Sequence, residues 1–358
     1  MMWRHPRRER TPPVQKTDPK QRVAILRILR DGEKPLSSAA IAREMSGYGY
    51  ELSSRTVRLY LQEMEHEGLV ACASRGRNGG RRITAQGVEE IKDAHVTGRV
   101  GFVTARVDAL SWQMTFNPST SQGLILLNVT TIPIEALERA LDIMVPVFDA
   151  GLGMGHYLAV ARPGDRLGQY TLPPGKAGIG TVCSVTVNGA LLSACIPVQS
   201  SFGGVLELQD REPSRFTDVI YYDGTTLDPL EIFIKARLTS VGQAARTGHG
   251  RIGASFREVP TIALPDVVKV LKRLESMGLK GDLCIGKPNQ PLLGFPVHEG
   301  RTGLVLAGGL NPAAALEEAG IPTQSTAFSS LYPFEKLIHY RDALGRLASG
   351  DLLHRRIS

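Results

Sequence analysis

No two of the four cysteines form a Cys-x-x-Cys pair; Cys72, Cys183, Cys195 and Cys284 are scattered along the chain. Scattered thiols in 358 residues provide neither a zinc-binding spacing nor the disulfide framework of a small secreted domain. They read as free thiols in a reducing, cytoplasmic setting. Aromatic residues are scarce at 6 %, so aliphatic side chains must build the core. Long hydrophobic runs are missing as well. The charge-free stretch 177–206 is interrupted by Asn188, Pro197 and Gln199, whereas a membrane-crossing helix needs about 20 mainly apolar residues. No apolar run follows Met1. Residues 1–18 are rich in arginine and proline, which excludes a secretory signal and predicts a disordered basic arm.

Catalytic signatures are equally scarce. Gly-x-Ser-x-Gly, the P-loop Gly-Lys-Ser/Thr and His-Glu-x-x-His do not occur. His298-Glu299 has no second ligand at helical distance, and Gly151, Gly153 and Gly155 are wrongly spaced for a dinucleotide turn. No catalytic residue, metal site or cofactor is expected from these patterns.

What the chain does have is basic charge in one place. It carries 42 Lys and Arg against 35 Asp and Glu, a net +7. Residues 1–97 hold 18 of the basic and 12 of the acidic residues, so nearly the whole surplus lies in the first quarter. A basic segment on a near-neutral body suits a polyanion-binding module joined to a second unit.

Within residues 19–95 three short helical patterns follow one another, over 21–30, 37–45 and 53–67. Ser pairs stand at the start of the second and third, and Gly68 stands just past the third. An apolar run at 69–73, an Asn-Gly turn at 78–79 and a return strand from Ile83 predict a hairpin. Three helices and a basic-tipped hairpin are the order of a winged helix-turn-helix, whose third helix enters the major groove. The third helix offers Ser53, Ser54, Arg55, Thr56, Arg58 and Gln62 off its Val57/Leu61/Met64 stripe, and the wing offers Arg75, Arg77, Arg81 and Arg82. Arginines at those places contact phosphates or guanine edges, and hydroxyls at a helix start contact phosphates. Double-stranded DNA is the expected partner, with RNA a second possibility.

From residue 98 short apolar runs alternate with amphipathic helices, which predicts an α/β (α+β) body over 98–330 and a C-terminal helical tail over 331–358. Strands are expected at 99–104, 124–129, 157–161, 181–187, 205–208, 219–222, 251–256, 282–285 and 303–307. This body repeats itself. Pro133, Ala136, Leu137, Gly151 and Leu152 recur 127 residues later as Pro260, Ala263, Leu264, Gly278 and Leu279. Ala194, Ile196 and Pro197 recur 125 residues later as Ala319, Ile321 and Pro322. An internal duplication predicts two similar halves with a cleft between them for a small ligand. Thr181, Cys183, Ser184 and Asn188 lie in one segment suited to line it, and Thr225, Thr226 and Asp228 in another. Asn311-Pro312 and Asp228-Pro229 each read as an N-cap followed by a proline at the first helical position. Capping alone explains Asp228 and Asn311 as well as ligand contact does.

These motifs together resemble the NrpR family of nitrogen regulators over roughly residues 20–330. The resemblance rests on the winged helix and on segments 178–184, 188–189, 202–204, 224–230, 254–260 and 308–312. The winged helix by itself is also similar to the N-terminal helix-turn-helix of ribonuclease R. The NrpR resemblance implies a homodimeric repressor of nitrogen-assimilation genes, an inverted-repeat operator and 2-oxoglutarate as effector. Some members carry two regulatory domains where this chain has one. For a ligand with two carboxylates, the resemblance singles out Arg257, in the matched segment 254–260, as anchor for one of them. The other carboxylate would sit at a helix start near Asn188 or Asn311, with Thr181, Ser184, Thr225 and Thr226 donating to the keto oxygen. The alternative is an enzyme of unknown reaction built on the duplicated body, with the winged helix as a nucleic-acid-targeting module.

Overall fold

The computed structural model describes residues 18–32, 34–73, 80–93, 102–168 and 170–349. The predicted arm, Arg75 and Arg77 of the wing, and the last residues of the tail lie outside that description. The chain forms two compact units, residues 1–99 and 100–358.

In the first unit, helices α1 (Pro19–Asp31), α2 (Ser38–Gly47) and α3 (Ser54–His66) precede a hairpin of β1 (Val70–Cys72) and β2 (Arg81–Ile83), and α4 (Ala85–Asp93) follows. Side-chain oxygens of Asp18, Ser37 and Ser53 accept backbone N–H groups at the starts of α1, α2 and α3, which fixes where each helix begins. Val57, Leu61 and Met64 of α3 are buried with Ile25, Leu26, Ile41 and Met45 in one aliphatic core. Gly68 takes a φ of +77°, the left-handed turn that ends α3 and leads into β1. The hairpin pairs Val70 with Ile83 and Cys72 with Arg81, so the return strand starts two residues earlier than Ile83.

Of the segment expected as a strand over 99–104, residues 102–104 instead begin helix α5 (Phe102–Gln113), and the rest lies outside the described residues. Val103 and Val107 are buried at helical spacing, and tertiary burial overrides a short apolar run that looks like a strand. The chain continues through β3 (Leu124–Pro133), α6 (Leu137–Asp149), β4 (Tyr157–Ala161), a small hairpin of β5 (Arg166–Leu167) and β6 (Tyr170–Thr171), β7 (Lys176–Val182), α7 (Val185–Ser193), β8 (Gln199–Gln209) and β9 (Glu212–Tyr221). Two short helices, α8 (Pro229–Lys235) and α9 (Val241–Thr247), lead to β10 (Gly250–Pro260), α10 (Leu264–Ser276), β11 (Asp282–Ile285), β12 (Arg301–Ala307), α11 (Asn311–Glu318), β13 (Gln324–Pro333), β14 (Ile338–His339) and α12 (Tyr340–Ala348). The strand expected over 181–187 therefore stops at Val182, and Val185 begins a helix. The expected tail from 331 starts inside β13, and its helix begins only at Tyr340.

The duplication is visible as a repeated order of elements. β3, a single 3-10 turn and α6 recur as β10, a 3-10 turn and α10; β7, α7 and β8 recur as β12, α11 and β13. Each half forms an antiparallel sheet, in the orders β13-β3-β7-β4-β14 and β11-β12-β10-β8-β9. The last strand of each half has crossed to the other: β8 pairs with β10, and β13 pairs with β3. Equivalent backbone bonds recur too, with Cys183 N donating to Leu126 O and Gly308 N to Gly253 O, both at 2.8 Å. The exchange interlocks the two halves through their sheets. Among the described residues no helix is long and apolar enough to cross a membrane.

Candidate functional site

The strand exchange carries α7, which precedes β8, against the opening strand of the other half. Arg257 of β10 meets it there. Alternation along β10 puts Ser255 and Arg257 on one face and Phe256 and Glu258 on the other. A register shift between Phe256 and Arg257 sets Arg257 opposite Ser200 of β8. The guanidinium is 1 % exposed. Its Nε donates to Asn188 Oδ1 at 2.6 Å, one terminal nitrogen to Ser255 Oγ at 2.5 Å and the other to Ser184 Oγ at 3.1 Å. Asn188 in turn donates to Ser200 Oγ at 3.0 Å.

Every hydrogen-bond acceptor on this arginine is neutral, and it has no carboxylate partner among the described residues. Burial pulls its pKa down, and the nearby Tyr222 and Cys183 oppose that fall. Burial raises the pKa of Tyr222 in turn, and the neighbouring Asp228 carboxyl adds to it. A buried guanidinium without a counter-ion is costly, and a carboxylate seated beside it relieves that cost. The pseudo-equivalent place in the other half is different. There Thr130 replaces Arg257 and simply bonds Ser325, Oγ1 to Oγ at 3.0 Å. The duplication thus builds this cationic centre once per chain.

Of the expected effector residues, the structure brings Ser184, Asn188 and Arg257 into direct contact, with Cys183 beside them. Asp228 stands one step away, across Tyr222. Its side chain caps α8, accepting from Leu230 N at 2.9 Å and Glu231 N at 3.2 Å. Burial pushes its pKa up to about 7, with help from Glu231 and against the two cap hydrogen bonds. Thr181 is committed elsewhere, donating to Gly309 O at 2.7 Å. A Cβ on Gly309 would stand 2.3 Å from Val182 O, so the two strand-to-helix turns touch where only glycine fits. Thr225 is closed into its own turn with Leu227, and Thr226 is half-buried with no hydrogen bond to the Arg257 group.

Asn311 is not the N-cap expected; Leu310 holds that position and α11 has no side-chain cap. Asn311 instead cross-links the halves. It accepts from Gly253 N at 2.8 Å and donates to Leu152 O at 2.7 Å and Gly253 O at 2.9 Å. These bonds occupy its amide, which leaves it little to offer a ligand. Ser200 belongs to the segment 200–204, which the sequence suggests as a polar loop lining a cleft and which the structure places in β8; Ser255 and Tyr222 are not singled out by sequence. Ser255 was the findable one, because it stands two residues before Arg257 on the same face of a strand.

In the first unit, Ser53, Ser54, Arg55 and Arg58 are exposed on α3 and Arg82 on β2. Ser53 Oγ accepts from Thr56 N at 3.1 Å and lies 2.9 Å from Thr56 Oγ1, so both hydroxyls serve the cap. Arg81 is engaged inside the domain, with its guanidinium 2.9 Å from Glu65. Glu67 is likewise paired, with Arg22. Two glutamates at the end of α3 are thereby neutralised, and Arg55 and Arg58 keep no carboxylate partner among the described residues.

Residues 100–339 match the family model described as NrpR regulatory domains NRD1 and 2, and residues 23–91 match the ribonuclease R winged-helix domain. The global nitrogen regulator NrpRI of Methanosarcina mazei is 34 % identical over 315 residues, covering 88 % of this chain and 96 % of that protein. The global nitrogen regulator NrpR of Methanococcus maripaludis is 29 % identical over 86 % of this chain and 53 % of its own length. The crystal structure of a nitrogen repressor-like protein from Methanococcus jannaschii superposes with a TM-score of 0.57 at 28 % identity, covering 66 % of this chain and 97 % of that one. An N-terminal winged helix joined to a duplicated α+β domain, with these matches along nearly its whole length, makes the chain a member of the NrpR family of nitrogen-responsive transcriptional regulators.

Proposed function

We propose that this chain is a homodimeric repressor that holds an inverted-repeat operator and releases it when 2-oxoglutarate binds at Arg257. The observation that carries the effector reading is the buried guanidinium whose hydrogen-bond acceptors are all neutral. A 2-oxoglutarate carboxylate supplies the missing counter-charge. The first turn of α7, with the Ser184 hydroxyl, is at hand for the keto oxygen or the second carboxylate. Because the cation occurs in one half only, the expected stoichiometry is one ligand per chain. Calorimetric titration of the purified protein with 2-oxoglutarate, with succinate and glutamate as controls, tests this directly. Absence of saturable heat with 2-oxoglutarate refutes the effector assignment.

Operator binding is expected to run through Arg55, Arg58 and the wing. Phosphate contacts release counterions, so affinity should fall steeply between low and physiological salt. Arg55→Ala should blur sequence preference and cost about 1–3 kcal/mol if the guanidinium reads a base, whereas Arg82→Ala should weaken all duplexes alike. Binding curves on specific and scrambled duplexes distinguish the two, and an affinity indifferent to salt contradicts the whole interface.

One winged helix has a small footprint, and joining two half-sites about one helical turn or a multiple apart is the usual remedy. The second unit is expected to hold the dimer together. Light scattering at micromolar concentration should report twice the chain mass, and a monomer both with and without operator would count against the proposal.

A further inference from the structure

Leu59 is 58 % exposed in the middle of α3. At 3.6 residues per turn it falls between the exposed Arg55, Gln62 and Arg58 on one side and the half-buried Glu63 on the other, directly opposite Val57, Leu61 and Met64. The first unit has a well-filled aliphatic core and no lack of buried leucine positions. A solvated leucine beside two arginines without carboxylate partners among the described residues serves neither that core nor solubility. Arg55 and Arg58 make that side of the helix positive; Glu63, one turn on across Leu59, is half-buried and engaged, and Glu65 and Glu67 are neutralised by Arg81 and Arg22. A positive helix face with one branched apolar side chain at its middle matches the floor of a DNA major groove. That groove is wide enough for a helix, is flanked by phosphates and displays one apolar group, the thymine methyl.

We propose that Leu59 is a specificity-determining residue that packs on the 5-methyl group of a thymine in each operator half-site, while Arg55 and Arg58 hold the flanking phosphates or purine edges. The proposal rests on the DNA-binding reading above, and it predicts something that reading alone does not: sensitivity to a single methyl group.

The test begins with full-length protein enriching duplexes from a randomised pool. Affinities are then measured for the enriched duplex and for versions in which each thymidine in turn is replaced by deoxyuridine, which removes only the methyl. Wild type should lose about fourfold in affinity at one thymine per half-site, the amount corresponding to one methyl-sized apolar group buried. Leu59→Ala and Leu59→Gln should bind the thymidine duplex more weakly by a similar factor and show no further loss with deoxyuridine at that position. As a solvated surface position, Leu59 tolerates both substitutions without loss of folding. If wild type is indifferent to deoxyuridine at every position, or if Leu59→Ala still discriminates, Leu59 does not read a methyl, although DNA binding stands. Failure to enrich any duplex overturns the DNA-binding reading and this proposal with it.

Discussion

Arg257→Met should yield a protein that melts close to the wild-type temperature and no longer responds to 2-oxoglutarate. Two contributions set the stability change. Removing a buried guanidinium that has no carboxylate partner relieves a desolvation cost of several kcal/mol. Against it stand three lost charge-assisted hydrogen bonds, to Asn188, Ser255 and Ser184, at about 1.5–3 kcal/mol each, so the two contributions nearly cancel. Methionine fills most of the volume, so no large cavity adds to the loss. Arg257→Ala, by contrast, leaves the space empty and should lose about 2–5 kcal/mol. The functional effect of the methionine variant should far exceed its stability effect. Wild type should gain about 2.7 kcal/mol of stability at a ligand concentration of 100 times the dissociation constant, and Arg257→Met should gain nothing. Thermal melts with and without millimolar 2-oxoglutarate, run beside operator-binding curves, read both. A methionine variant that is ligand-stabilised like wild type would remove Arg257 from the site.

In the proposed reading a ligand at Arg257 acts on the contact between the two halves. Arg257 and Ser255 belong to β10 of one half, while Ser184 stands at the start of α7 of the other and Asn188 lies within it, so the cluster joins the two halves directly. Under the proposed effector reading, a ligand carboxylate that took over the guanidinium would compete with Asn188 and Ser184 for it and would favour a different seating of α7 against β10. Only such differential affinity shifts an equilibrium, and couplings of this kind are typically about 1–3 kcal/mol, or 5–150-fold in operator affinity.

Much of this was legible in the sequence, for identifiable reasons. The winged helix could be read because its punctuation is local: Ser37 and Ser53 cap helices and Gly68 turns the chain, while the Asn-Gly pair at 78–79 lies outside the described residues. Asp228-Pro229 was legible for the same reason. The duplication was legible because proline and glycine repeat at nearly fixed distance. The crossing of β8 and β13 was not, since alternation tells which face of a strand is buried and not which strand lies beside it. Residues 183–187 were misread because a helix buried on all sides, as α7 is over Val185–Leu191, carries no amphipathic signature. Asn311 before a proline has the look of a cap; only the approach of Gly253, a contact across 58 residues, gives it another task.

Asp228→Asn should flatten the pH dependence of unfolding between about pH 4 and pH 7. In the folded protein burial raises this carboxyl from its ordinary 3.8 to about 7. The folded state therefore binds a proton that the unfolded chain has already released, and the sign follows from that difference. The stability linked to Asp228 is fully present below about pH 4, declines as pH rises toward 7 and is constant above it. At 1.36 kcal/mol per pH unit the decline is up to about 4 kcal/mol. Glu231, one turn into α8, is also raised by burial and adds a smaller slope of the same sign, so wild type and variant must be compared rather than read alone. Asparagine is as good an N-cap as aspartate, and its amide oxygen can accept from Leu230 N and Glu231 N in the same way. The variant is thus expected to match wild type below about pH 4 and to exceed it by a margin that grows up to about pH 7 and is constant above. Tyr222 stands between Asp228 and Arg257, so removing the charge also withdraws a negative neighbour from the tyrosine, whose pKa should fall. Denaturant melts at pH 5, 6, 7 and 8 measure the effect, and parallel slopes for the two proteins would show that Asp228 is already ionised in the folded state.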